Sequence, residues 1–425
     1  MKDKQYFIDK TRTYFTTLNE IDKKIQDEIK QQLDAASRGE SEAKDFLARQ
    51  LQTYFSTNNE KPTESVYPNV PVELSLIFAT FGQKALDAIM YQSPYIENIW
   101  IWENRPIQYL EQGLLKTYDY IPSTQEMEVL LTDLSHICGG TIHQKRSALS
   151  GDFPERRLRL QMYTKPRSDR TVIARKGDSG YLTLDTIGMD ERIRKFLKGI
   201  ARSNCSVLFA GGQETGKTTL QRATVLEKDP DINTLTVIEQ TPELKISEFW
   251  GKVVIEICYV EEEPFEDSFG HAFRNTTRSI VVGEARYPFE AHYVLESALR
   301  SPGFTFSTLH LKVSTQEIAM RTLENLVYQH RKSDRIGIRE DIADGIDFFY
   351  MLSKNYQTGE RYISQIFSPR FDKDSEKLYA ETYVYFDQLN GGYEWTGNKI
   401  PEEKRHLFLS EPNVNIQELE ELGVW

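Results

Sequence analysis

The stretch from Gly211 to Leu220, GGQETGKTTL, has the residue types and spacing for phosphate chemistry. It reads G-x-x-x-x-G-K-T, with Gly211, Gly216, Lys217 and Thr218 in the fixed places. In that pattern the loop backbone wraps phosphates, the lysine reaches the β/γ-phosphates and the threonine hydroxyl faces Mg2+. The apolar run from Val207 to Ala210 reads as a strand entering the loop, and TTLQRATVLEK reads as a helix leaving it. Phosphate then falls at a helix N-terminus, where unpaired N–H groups and the dipole favour an anion. The expected nucleotide contacts are Gly211, Gly212, Gln213, Glu214, Thr215, Gly216, Lys217, Thr218 and Thr219. Glu214 is an odd neighbour for a triphosphate. It is tolerable if its backbone N–H faces the phosphates and its carboxylate points to water.

Downstream, charged and titratable residues stand at the ends of strand-like runs. Glu239 follows LTVI, Glu284 follows SIVVG, and His310 closes STLH. Ligands of open α/β sheets bind outside the carboxyl ends of the strands, so these side chains are expected at the same Mg2+–nucleotide. Hydrolysis needs one group to position water and others to hold the metal. No N-K-x-D motif for reading a guanine base occurs.

The elements that must position these residues follow from periodicity. From about Asn204 to Tyr350, the runs CSVLFAGG, TLTVIEQ, KVVIEICYV, SIVVGEA and FTFSTLH alternate with helical patterns, the signature of a sheet with crossover helices. DERIRKFLKGIARSN is a helix leading into this region. Between about Tyr95 and residue 195, NIWIWENRPIQYLEQG and RRLRLQMYTK alternate as half-buried strands, with the helix EMEVLLTDLSHICGG between them. Further upstream, Leu18, Ile21, Ile25, Ile29 and Leu33 mark one amphipathic helix. Phe46, Leu47, Leu51, Tyr54 and Phe55 mark a second, with ASRGES as the turn between them. Ser56–Pro71, polar with three prolines, reads as a linker, and VELSLIFATFGQKALDAIM as one helical run. After Met351 the tail shows strand-like YVYF and YEWTG, then a short polar end, and Glu261–Asp267 reads as a solvated acidic loop. The expected division is 1–94, 95–195, 196–350 and 351–425.

Bulk properties set limits on function. The 425 residues exceed one ordinary domain. A composition of 39% apolar and 27% charged residues fits folded domains. The net charge of −12 argues against a general nucleic-acid coat. Cys138, Cys205 and Cys258, far apart and odd in number, form neither a disulfide framework nor a zinc site; buried, reduced thiols are expected. The N-terminus lacks a signal-peptide core, and no apolar run is long enough to span a membrane. The expected location is cytoplasmic, peripheral to a membrane through a partner.

GGQETGKTT, TVIEQTPEL, SIVVGEAR and STLH, in that order and at these separations, resemble the secretion (traffic) ATPases of type II and type IV secretion, pilus assembly and conjugation. The preceding helical segment makes the chain most similar to the tight-adherence pilus and conjugation branch. The resemblance implies an α/β fold: a P-loop (RecA-like) ATPase domain preceded by an α+β nucleotide-covering domain and a helical N-terminal segment. It further implies ATP and Mg2+, a homohexameric ring, and inner-membrane platform or channel proteins as partners. By the same resemblance Glu284 is the catalytic base or water-positioner, Glu239 the first acid of the Asp box and a metal-directed group beside Thr218, and His310 the last His of the His box. Arg175 in VIARK, and more weakly Arg159 in RLRLQ, match the arginines that reach nucleotide from the N-terminal domain. The chain departs from the family pattern at Gln213-Glu214-Thr215, where T-G-S is usual. It departs again at Gln240, where Asp is usual, and at Phe304, near the place of the first His. Retention of Glu284 favours a hydrolysing motor, while Glu214 and Gln240 favour a subunit that binds nucleotide for assembly alone. A metabolic kinase is the third reading, and the implied ring argues against it.

Overall fold

The computed structural model describes residues 3–17, 23–60, 62–177, 182–240, 242–259, 265–312, 315–332 and 334–425. Leu18 and Ile21 of the first expected helix, 178–181 of the connection between domains, and 261–264 of the acidic run lie outside them. The chain divides into two compact units, Met1–Ser179 with Tyr356–Gly359, and Gly180–Asn355 with Glu360–Trp425.

The first unit begins with helices α1 (Lys4–Thr16), α2 (Lys23–Ser37) and α3 (Ser41–Thr57). Asp3 caps α1 by accepting the Tyr6 N–H. Ala43, Leu47, Leu51 and Phe55 recur at four-residue steps, so α3 buries one stripe against Phe7 and Phe15 of α1 and Ile29 of α2. The expected linker is different in the fold. Its first two residues finish α3 and its other described residues form no helix or strand, but Tyr67 and Val70 are buried in the core, and the Tyr67 hydroxyl donates to Glu126. The expected single helix after it is two, α4 (Val72–Thr80) and α5 (Ala85–Met90). The break falls where Lys84 takes a left-handed φ of 50° and where a Cβ on Gly82 would meet the Asp87 carboxylate at 2.2 Å.

The rest of this unit is an antiparallel sheet carrying one helix. Its elements are β1 (Ile96–Trp102), β2 (Ile107–Glu111), β3 (Leu114–Tyr118), α6 (Thr124–Ile137), β4 (Ala148–Phe153), β5 (Leu158–Tyr163) and β6 (Thr171–Lys176). The strand order is β3-β2-β1-β6-β5-β4. Leu158, Leu160 and Met162 alternate into the core, where Met127, Leu130, Leu131 and Leu134 of α6 meet them. β3 escapes a pattern reading because four of its five residues are exposed.

The second unit opens with α7 (Glu191–Arg202), β7 (Val207–Gly211) and α8 (Lys217–Val225). β8 (Leu235–Glu239), α9 (Ser247–Trp250), β9 (Val254–Cys258), α10 (Phe265–Arg274) and β10 (Ser279–Ala285) follow. Phe265–Asp267, read as loop, thus open a helix. Then come α11 (Pro288–Arg300), β11 (Thr305–His310), α12 (Gln316–Arg331), α13 (Arg335–Gly345) and β12 (Phe348–Lys354). The chain ends with β13 (Arg361–Asp372), β14 (Lys377–Asp387), β15 (Gly392–Trp395), α14 (Glu402–Leu409) and α15 (Ile416–Glu421).

These strands form one sheet in the order β15-β14-β13-β12-β7-β11-β10-β8-β9. From β12 to β9 every neighbouring pair is parallel. β13, β14 and β15 continue it antiparallel. All five residues of β7 are buried, as a strand covered on both faces requires. Val207 and Phe209 face one core, with Ile193, Phe196 and Ile200 of α7 and Leu220 of α8. Leu208 and Ala210 face the other, with Val294 of α11, Leu323 of α12 and Ile342 of α13. The expected polar end is instead structural: Phe408 of α14, Leu419 of α15 and Val424 are buried in the first of these cores. Of the three free thiols, Cys205 is buried and Cys138 half-buried, but Cys258 is exposed, contrary to expectation. Among the described residues no helix is long and apolar enough to cross a membrane.

Candidate nucleotide site

Parallel pairing puts the carboxyl ends of β7, β11, β10 and β8 on one edge of the sheet. The register aligns His310 with Gly211, Ala285 with Leu309, and Val282 with Ile238. Adjacent strands lie about 4.8 Å apart. Lys217, His310, Glu284 and Glu239, separated in sequence, therefore come to neighbouring strand ends.

The loop after β7 turns through backbone conformations that require its glycines. A Cβ on Gly211 would sit 2.5 Å from the Leu352 carbonyl. Gly216, at φ +89°, is the N-cap of α8, a left-handed conformation that costs other residues free energy. The first N–H groups of any helix have no partner within it, so α8 directs donors and the positive end of its dipole into the loop. The buried Lys217 donates through Nζ to the Gly212 carbonyl at 2.6 Å, and Thr215 Oγ1 donates to the same carbonyl at 3.0 Å. Thr218 and Thr219 follow on the first turn of α8, half-buried, and Gln213 is exposed. Gln221, fully buried, ties α8 to β10 by donating to the Val282 carbonyl at 2.9 Å.

Glu214 departs from the sequence expectation. Its φ is +59°, and its carboxylate, a third exposed, accepts from Lys354 Nζ at 3.0 Å, with Lys354 only 1% exposed. Arg361 Nε donates to the Glu214 carbonyl at 2.8 Å. The carboxylate is thus engaged by a buried cation rather than left to water. Sequence reading missed Lys354 and Arg361 because β12 and β13 lie far along the chain. The signal was a lysine closing the apolar run FFYMLSK.

The carboxylates across the site differ. Glu284 is partly exposed and Arg286 grips its Oε2, from Nε at 2.7 Å and from Nη2 at 2.5 Å. That partner stands in SIVVGEAR, two residues on, yet no role was assigned to it. Glu239 is buried; its Oε1 accepts the Glu243 and Leu244 N–H groups, both at 3.1 Å. Burial pushes its carboxyl up to about 8, against the opposing effect of those N–H groups. It lies so close to β10 that a Cβ on Gly283 would come within 2.9 Å of its Cγ. Gln240 is exposed. The His310 imidazole is held below its usual pKa by partial burial and by the Lys217 ammonium, with Glu284 opposing. It is therefore largely neutral at pH 7. Phe304 is fully buried under the Lys228 ammonium, 3.8 Å from its ring centre, and belongs to the core. Arg159 and Arg175 belong to the first unit, where they face each other across β5 and β6; Arg175 is exposed and Arg159 lies 3.9 Å from Asp152.

Residues 145–338 match the family described as type II/IV secretion system protein. That match covers a little under half of the chain, and there the chain is similar to the family. The matched segment contains the phosphate loop, Glu239, Glu284 and His310, as well as Arg159 and Arg175. The chain is also similar to the ATPase DotB of Yersinia pseudotuberculosis, with a TM-score of 0.51 and 16% identity over 86% of this chain and 94% of that one. Similarity extends to Legionella pneumophila DotB, with a TM-score of 0.45 and 20% identity over 68% and 81% of the two chains. The VirB11 ATPase of the Brucella suis type IV secretion system, in complex with sulphate, gives a TM-score of 0.37 and 19% identity over 66% and 91%. At its level of identity the Yersinia likeness is one of fold. No curated relative matches the chain. The chain has the expected α/β architecture, a P-loop sheet preceded in sequence by an α+β sheet and a helical N-terminal segment.

Proposed function

We propose that this chain is an ATP-hydrolysing motor of a type II or type IV secretion, pilus assembly or conjugation machine, working as a homohexamer. The observation that carries the reading is the convergence of the Gly211–Thr218 loop, Glu284 and His310 on one edge of one parallel sheet. The donor set fits a nucleotide's phosphates: two obligatory glycines, the N-terminus of α8 and a buried lysine. Among the described residues no group of three Asp, Glu, His or Cys side chains could hold a metal unaided. Mg2+ would be held by Thr218 and the phosphates, with Glu239 as the further acid; it supplies charge neutralisation at the transferring phosphoryl group. Glu284 orients the attacking water once Arg286 yields it. Neutral His310 accepts or donates one hydrogen bond beside Lys217. Arg175, with Arg159 opposite it, supplies positive charge from the α+β sheet. The homohexamer would dock at the cytoplasmic face of the cell membrane on platform or channel proteins, with no general affinity for nucleic acid.

A second reading, a subunit that binds nucleotide for assembly with little turnover, is favoured by the engagement of Glu284 by Arg286 and by Gln240. ATPase assays of wild type beside Glu284→Gln separate the two. A motor loses nearly all turnover and keeps nucleotide binding in the variant. Equal and negligible turnover in both proteins selects the assembly role.

A further inference from the structure

The Glu214 contact has no place in the mechanism above, yet it is built from buried parts. Lys354 and Arg361 are register partners that close the β12–β13 hairpin, and Asn355 N–H donates to the Glu360 carbonyl at 2.8 Å just beyond them. β12 is also the strand that pairs with β7, with Leu352 opposite Gly211. The hairpin ends are therefore fixed to the same strand that launches the phosphate loop. From there Lys354 reaches the Glu214 carboxylate and Arg361 the Glu214 carbonyl. The Arg361 Cδ passes 3.4 Å from where a Gly216 Cβ would lie. Both cations thus contact the loop at Glu214, its non-glycine residue with a left-handed backbone.

We propose that Lys354 and Arg361 are positioning residues of the phosphate loop and that Glu214 is the tether they hold. A carboxylate in a phosphate-binding loop repels its ligand unless a cation is paired with it. Lys354, nearly free of solvent, is weakly screened and cancels that charge locally. Arg361 at the same time fixes the peptide that follows Glu214, so that the loop N–H groups are aimed before any ligand arrives. An uncharged loop needs neither partner. This one substitutes a charged tether for the usual small residues, and its nucleotide affinity depends on a hairpin far along the chain. The proposal rests on the nucleotide reading of the site.

The test is titration of the full-length chain with a fluorescent methylanthraniloyl-ADP and Mg2+, each variant being checked by thermal unfolding. Lys354→Met keeps the buried stem and removes the charge. It should weaken binding about tenfold, because the buried charge that offsets Glu214 beside phosphate is removed. On a Glu214→Gln background the same change should cost less than about threefold, since the two residues act as one unit. Lys354→Arg should remain close to wild type. Equal losses on both backgrounds, or no loss on either, overturn the tether. Should Lys354→Met fail to fold, Arg361→Ala, at an exposed position, decides. Several-fold weaker binding at an unchanged melting temperature supports the proposal, and unchanged affinity overturns it. Wild type that binds no nucleotide removes the site reading and the tether together. Wild type that binds while the variants bind equally well removes the tether alone.

Discussion

Lys217 points its ammonium at the Gly212 carbonyl, so the positive charge is already inside the loop and largely dry. Lys217→Ala removes that charge from an interaction with anionic oxygens. It should abolish measurable ATP hydrolysis and lower nucleotide affinity by at least about tenfold in a protein that still folds. Near-normal turnover in folded Lys217→Ala would displace the site from this loop. Glu239 offers a readout independent of catalysis. Its folded carboxyl is raised to about 8 by burial, whereas the unfolded chain titrates near 4.5. Between those values the folded protein holds a proton that the unfolded chain has released. Stability from this group is therefore full below pH 4.5 and is lost as pH rises towards 8, with a slope of at most ~1.4 kcal/mol per pH unit. Glu239→Gln should flatten that part of the curve in nucleotide-free protein. Urea unfolding at several pH values for both proteins measures the difference, and parallel curves would show that Glu239 is ionised throughout.

Elements decide whether these side chains meet. The turn from β10 into α11 is fixed by Glu290, which accepts the Arg286 N–H at 2.6 Å, the Tyr287 N–H at 2.8 Å and the Tyr259 hydroxyl. Glu290→Ala removes one acceptor from three donors at a buried position. We expect a stability loss of roughly 2–3 kcal/mol, and turnover should fall as well because Arg286, which holds the Glu284 carboxylate, stands on that turn. Denaturant unfolding and ATPase assays on one preparation check both; an intact rate in the destabilised protein would make the turn purely structural. The strands β7 to β11 were legible in the sequence because each is a short apolar run bounded by turn residues. The loop was legible because its glycines and lysine have fixed spacing. β12 and β13 were not, since the alternating region was read as ending at Tyr350, inside β12, and β13 is partly exposed without a regular alternation. The buried linker failed for the opposite reason: its polar composition hides Tyr67, a single anchor that no periodicity announces. Nor does spacing reveal a pairing between Glu214 and Lys354.

At the level of the whole molecule, the proposed ring makes the subunits interdependent. Glu284→Gln protein mixed with wild type should lower activity by more than its share, because a subunit that binds without turning over stalls its neighbours. Solution mass measurement with nucleotide should give hexamers for both proteins. Activity falling only in proportion to the wild-type fraction, or a monomer throughout, would leave a solitary ATPase. Arg175→Ala should keep ATP binding within about tenfold while losing most turnover, if its charge acts on the transition state. The central place of β7 has a consequence for how the protein comes into being. Its two neighbours, β11 and β12, are Thr305–His310 and Phe348–Lys354, so the strand that carries the phosphate loop waits for most of the chain to be synthesised before either flank exists. Pairings so distant along the chain are slow to form, and a β7 without them is an apolar strand with both edges open. A nascent chain released before Phe348 should be captured by chaperones or aggregate, and during refolding nucleotide binding should return only after most helical signal has recovered.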